Sequence, residues 1–294
     1  MISFHNSPYY SHDHGSAIDL YPSNLVFKDS APSPVDGVVR CIRRFKSPRS
    51  KWFEVAEFEP LILIESDEDP QFLLKILHLD PSVRENDRVY VGDTLGAYLR
   101  SGYFHRWTDP HMHVEVRDRL DPIRARGGHS IALINDVKTD AISSSHIQDM
   151  SGRFSLITEE YALIEMDSPL VKLGYYSSLA ASLDGVQGIL DSGIPQYKSG
   201  GLVLPSTLRS RSGSILRVNG SPIGRVSRVI DNSIVFDTLG LRVEVNGIPV
   251  LGLSLRLHVG GSRAVKVIPV APSSFPYMEG DAAEISIQEL TSKN

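Results

Sequence analysis

A single cysteine, Cys41, serves a chain of 294 residues, and that excludes any internal disulfide framework. It lies in the apolar stretch Val38-Val39-Arg40-Cys41-Ile42 and is read as a packed side chain rather than a reactive one. Long apolar runs are missing as well. No window approaches the roughly 18 residues a membrane helix needs, so no membrane partner is expected. Nor is there a long run of one charge sign at a formal net charge of -5, which argues against nucleic acid or an anionic surface as a partner. The opening MISFHNSPYYSHDHGSAIDLYP has neither the basic start nor the continuous apolar core of a signal peptide, and a cytoplasmic protein is the expectation.

What is present is a chain 41% hydrophobic and 22% charged, enough to bury the core of one large or two ordinary domains. Between residues 25 and 120 the apolar residues come in strand-length runs. Among them are Gly37-Val38-Val39, Leu61-Ile62-Leu63-Ile64, Phe72 to Leu77, Val89-Tyr90-Val91 and His113-Val114-Glu115-Val116. Asp67-Glu68-Asp69-Pro70 reads as a hairpin turn, since Asp tolerates turn geometry and Pro fixes φ where the next strand begins. These runs predict a mostly antiparallel β domain over residues 1–135.

A polar stretch, DVKTDAISSSHIQDMSG, marks a linker over residues 136–152. Strand-type runs then return over 153–294, as in Phe154-Ser155-Leu156-Ile157, Gly201 to Leu204, Ile215 to Val218, Ser233 to Phe236, Leu241 to Val245 and Leu253 to Leu257. They predict a second β-rich domain, with a barrel among the forms it can take. Two Asn-Gly pairs, Asn219-Gly220 and Asn246-Gly247, sit in similar Val-Asn-Gly-x-Pro surroundings and predict two hairpins, because both residue types accept positive φ. No spacing in this half points to catalysis.

Chemistry concentrates in Asp109-Pro110-His111-Met112-His113-Val114-Glu115-Val116-Arg117. On a strand, alternation turns His111 and His113 to one face and Val114 and Val116 to the other. Taken alone, a His-x-His pair stays open between a metal or catalytic pair and two polar residues on a solvated face. Glu115 is assigned to the strand surface, on the face of neither histidine.

As a string, Pro-His-Met-His-Val-Glu-Val-Arg resembles a segment of the lysostaphin-type zinc metalloendopeptidases, and four other stretches agree with that family in order and spacing over roughly 110 residues. His14-Gly15-Ser16-Ala17-Ile18-Asp19-Leu20 is similar to its first metal motif, and Ser33-Pro34-Val35-Asp36-Gly37-Val38-Val39 to the hairpin that follows. Ile76-Leu77-His78-Leu79 resembles the segment carrying an active-site histidine, and Asp87 to Gly96 the Gly-Asp turn before the final histidine pair. The resemblance implies zinc held by His14, Asp19 and His113, with His78 and His111 as catalytic histidines and a peptide, Gly-rich or of cell-wall type, as substrate. Three mixed imidazole and carboxylate ligands leave a fourth position for the water a hydrolytic zinc needs.

One departure matters: the family has three residues between its first His and Asp, whereas four separate His14 from Asp19. A one-residue bulge would re-aim His14 toward the metal. His12 ranks behind a bulged His14 as a substitute, and His5 lies further away still. A degenerate zinc-binding member acting as a binding or regulatory module is therefore a second reading. A third is a non-peptidase relative of the same barrel-sandwich architecture, a phosphotransfer carrier that uses paired histidines without metal. His105 and Trp107, and Tyr9 and Tyr10, flank these motifs and are read as loop or packing residues before groove residues. His129 and His146 are expected to be exposed and without ligand partners.

Overall fold

The computed structural model describes residues 1–133, 148–205, 212–230, 233–261 and 263–290. Strands dominate, as the short apolar runs predict, and the single short helix α1 (Tyr10–Asp13) is the only helix among the described residues. The chain divides into two compact units. One comprises Met1–Ile2 and His14–Ile131, the other Ser3–Asp13 and Ala132–Asn294. Most of the sequence-predicted linker, residues 136–147, lies outside the described residues, as does His146.

The first unit is built from β1 (Ile2–Ser3), β2 (Ile18–Leu20), β3 (Ser30–Pro32), β4 (Gly37–Lys46), β5 (Phe58–Ser66), β6 (Phe72–Leu77), β7 (Leu79–Pro81), β8 (Arg88–Val89), β9 (Thr94–Tyr98) and β10 (Met112–Asp118). One sheet runs β1-β2-β10-β6-β5-β4-β8 and a smaller one β3-β9-β7. The Asp67 to Pro70 turn joins β5 to β6 as a hairpin, with Ile64 opposite Leu74 and Leu61 opposite Leu77. Of the run Val89-Tyr90-Val91 only Val89 lies in a strand; Tyr90 and Val91 belong to the exposed turn that follows. The apolar face of β10, Met112 and Val114, packs with Ile62, Ile64, Ile76, Leu79 and Leu95 into one core. That leaves the other face of β10 for its histidines.

In the second unit, six strands close on themselves. Ala180–Leu183, Ile215–Val218, Ser221–Ile230, Ser233–Thr238, Ser199–Val203 and Val186–Ile194 pair in that order, and the last returns to the first. Closure leaves no open edge in this part of the sheet. Leu183, Leu190, Leu202, Leu216, Ile223, Val226, Ile234 and Phe236 fill the core. Both Asn-Gly pairs are hairpin turns, with φ of 47° and 84° at Asn219 and Gly220 and of 50° and 76° at Asn246 and Gly247. Positive φ at both turn residues is the geometry that matches strand twist.

Ser3–Asp13 is held in this unit by one buried carboxylate. Asp191 accepts hydrogen bonds from Ser3 Oγ at 2.7 Å, Phe4 N at 2.6 Å and His5 N at 3.0 Å. His5 then covers Gly201, where a Cβ would fall 2.2 Å from the imidazole Cδ2, so a side chain at 201 would displace the ring. Burial pushes the Asp191 carboxyl up to about 6, although the three hydrogen bonds oppose it. A folded-state value above the unfolded one stabilises the fold fully below about pH 4 and is lost as pH rises through 6, a difference of about 3 kcal/mol.

Asp191→Asn keeps an oxygen for the two backbone N–H groups and an NH2 for Ser3 Oγ. Its unfolding free energy, followed by urea denaturation, is expected to stay level across that window relative to the wild type. Asp191→Leu leaves three donors bare and is expected to cost at least about 3 kcal/mol at any pH.

Candidate metal and catalytic centre

The site grows out of strand register. Antiparallel pairing sets His113 on β10 opposite Asp19 on β2 and, on its other side, opposite Leu77 at the end of β6. His78 follows Leu77 directly, and His111 immediately precedes β10. Three segments far apart in sequence thus deliver an aspartate and three histidines to one place, all of them buried.

The sequence-predicted ligands Asp19 and His113 meet, with His113 Nδ1 3.0 Å from Asp19 Oδ1. His12 sits in α1 and donates Nδ1–H to the Phe4 carbonyl at 2.7 Å. His14 lies half-buried in the turn after α1, where Gly15 has a φ of 64°. The short helix moves the extra residue of the motif into a turn, so the expected bulge is not formed.

The far side of His113 corrects the sequence reading of Glu115. Positions 111, 113 and 115 share one face by alternation, so Glu115 is not a strand-surface group. It is buried, with Oε1 3.1 Å from His113 Nε2. Lys75 Nζ donates to Oε1 at 2.9 Å and Arg117 NH1 to Oε2 at 3.1 Å. A carboxylate behind a ligating imidazole fixes its orientation and raises its basicity. Burial alone would lower the His113 pKa, but Asp19 and Glu115 on its two nitrogens outweigh it and raise it to about 9. The carboxylates therefore create a demand for positive charge beside His113, which a proton or a divalent cation can meet. Imidazole and carboxylate are also donors that suit zinc at a hydrolytic site.

Beside this group stand the two sequence-predicted catalytic histidines. His78 and His111 meet edge to face with centroids 5.2 Å apart, and His78 lies 5.9 Å from His113. His111 donates Nδ1–H to the Asp109 carbonyl at 2.9 Å, and its Nε2 is 3.6 Å from Asp19 Oδ2. Burial lowers its pKa to about 4, against the pull of Asp19, so the ring is neutral. His78 adopts a φ of 69°, in the left-handed region, and its Nδ1 is 2.8 Å from Glu59 Oε1. Phe104 stacks on His111 and meets His78 edge on, and Tyr21 packs on His111 from another direction.

Sequence reasoning missed Glu59, Ser101, Lys75 and Arg117, because their roles depend on cross-strand neighbours that no local motif announces. His105 and Trp107 stack in parallel, 4.7 Å between centroids, as half-buried loop residues. Tyr9 and Tyr10 are exposed. His129 bonds Asp118 at 3.0 Å and rests against Phe72, away from the ligand group. No helix among the described residues is long and apolar enough to cross a membrane.

Residues 1–133 match the N-terminal domain, and residues 148–288 the C-terminal domain, of DUF8155, a domain of unknown function. No curated protein matches the chain. Among solved structures, the catalytic domain of the antimicrobial peptidase lysostaphin from Staphylococcus simulans is similar at 15% identity and a TM-score of 0.30, covering 44% of this chain and 87% of that one. The solution structure of lysostaphin is similar at 11% identity and a TM-score of 0.26, covering 81% of this chain and 87% of that one. The two domain matches together span most of the chain.

Proposed function

We propose that this protein is a zinc-dependent peptide hydrolase whose metal is held through Asp19 and His113. The observation that carries the reading is the placement of His78 and His111 side by side next to that pair, each with Nδ1 engaged and Nε2 left for chemistry. A zinc ion bound there supplies a water of lowered pKa and polarises the scissile carbonyl. His111, kept neutral by burial, offers the Nε2 lone pair that takes the proton of the attacking water. His78 has the Glu59 carboxylate at its Nδ1. That leaves its Nε2 lone pair to take up a proton and pass it to the departing amine. Phe104 and Tyr21 wall the histidines with apolar surface, which strengthens these charge interactions.

The motif resemblance supports short Gly-rich peptides as the substrate class. Zinc-loaded protein is expected to hydrolyse such peptides, to lose the activity to a chelator and to regain it when zinc is restored. His111→Ala is expected to keep the metal while losing at least about 100-fold in rate. A zinc-loaded wild type that cleaves none of a panel of Gly-rich and cell-wall-type peptides would overturn the hydrolase reading and favour the binding-module alternative.

A further inference from the structure

We propose that Glu59 is a positioning residue that locks the backbone and the ring of His78 together, so that Nδ1 always carries the proton and Nε2 is always the reactive nitrogen. The inference rests on the reading of His78 given above and extends it to a residue on a different strand. Glu59 opens the core portion of β5 and is almost wholly buried. Its Oε1 accepts from the His78 backbone N–H at 3.0 Å and lies 2.8 Å from His78 Nδ1, while Oε2 accepts from Ser101 Oγ at 2.7 Å. Across the residue, the His78 carbonyl accepts from Leu99 N at 2.9 Å.

This arrangement answers two physical needs at once. A histidine at positive φ is strained by about 1 kcal/mol or more and persists only where its surroundings hold it. Here both backbone polar groups of His78 are tied. The backbone N–H can only donate, so the Glu59 oxygen it meets must be an acceptor, and an acceptor facing Nδ1 requires a proton there. Burial raises the Glu59 carboxyl, but the hydrogen bonds from His78 and Ser101 outweigh it and hold it below the usual range, so the acceptor is charged. No hydrogen-bond partner competes for His78 Nε2 among the described residues. The ring is therefore presented with one tautomer and one orientation, edge on to His111.

The decisive measurement is the protonation pattern of the His78 ring nitrogens in the zinc-loaded full chain, read from long-range proton–nitrogen NMR correlations. Wild type is expected to carry the proton on Nδ1. Glu59→Gln must keep an oxygen toward the His78 N–H and turn its NH2 to Ser101 Oγ, so Nδ1–H is expected to persist. Glu59→Leu removes the acceptor, and the Nε2–H tautomer is expected to appear, with zinc content unchanged and peptide hydrolysis down by more than about 100-fold. A bare Nδ1 in the wild type, or an unchanged tautomer in Glu59→Leu, overturns the proposal. If Glu59→Leu does not fold, wild type and Glu59→Gln decide it, and loss of Nδ1–H in Glu59→Gln overturns it. The tautomer is read without a substrate, so an inactive wild type sinks the hydrolase reading while leaving this result to stand or fall alone.

Discussion

Replacing Asp19 or His113 by alanine is expected to abolish zinc binding. The two side chains are buried face to face, with His113 Nδ1 3.0 Å from Asp19 Oδ1. Losing a hydrogen-bonding partner behind a ligand costs roughly 10–100-fold in affinity, so losing a ligand outright should cost well beyond about 100-fold. Metal content after dialysis, with competition against a chelator for the weakened variants, measures this directly. Zinc kept at full affinity in either variant would overturn the assignment. Zinc-free wild type prepared without chelators would remove the metal from the reading.

The second large effect is expected at Glu115. Its carboxylate neutralises Lys75 and Arg117, all three nearly sealed from solvent, and also faces His113. Removing one partner of a buried ion pair strands the other charge and costs about 3–5 kcal/mol. Glu115→Leu is thus expected to lower stability by about 4 kcal/mol and to weaken zinc binding about 10–100-fold, because His113 loses the group that orients it. Lys75 would keep only the Arg124 carbonyl at 3.3 Å, whereas Arg117 retains the Asp121 and Arg126 carbonyls.

The stranded charge is then chiefly that of Lys75, and Lys75→Met combined with Glu115→Leu should be more stable than Glu115→Leu alone, a non-additivity that denaturant titration reads out. The zinc affinity of the double variant should stay low, since His113 remains unsupported. Equal stability of the single and double variants would mean that the lysine escapes to solvent and that the buried network is not what holds this face.

The sequence by itself determined the features that depend on neighbours along the chain. Alternation and β-branched runs predict strands because a pleated surface sorts side chains residue by residue. The Asp-Pro turn and the two Asn-Gly hairpins follow from backbone φ preferences alone. His113 and Asp19 were readable for the same reason, each carried by a short string with its own character.

The tertiary structure decided what depends on register and burial. The helix Tyr10–Asp13 has four residues, too few for periodicity to reveal. Val186–Ile194 carries Gln187, Asp191 and Ser192 yet is a buried strand, and Asp191 finds its three donors in Ser3, Phe4 and His5. Glu59 and His78 are 19 residues apart, and only the β5–β6 pairing makes them partners. Glu115 looked like a surface charge until Lys75 and Arg117 were brought beside it. In each case a buried polar group is tolerated only where distant segments supply its partners, and that supply is a property of the fold rather than of any short stretch of sequence.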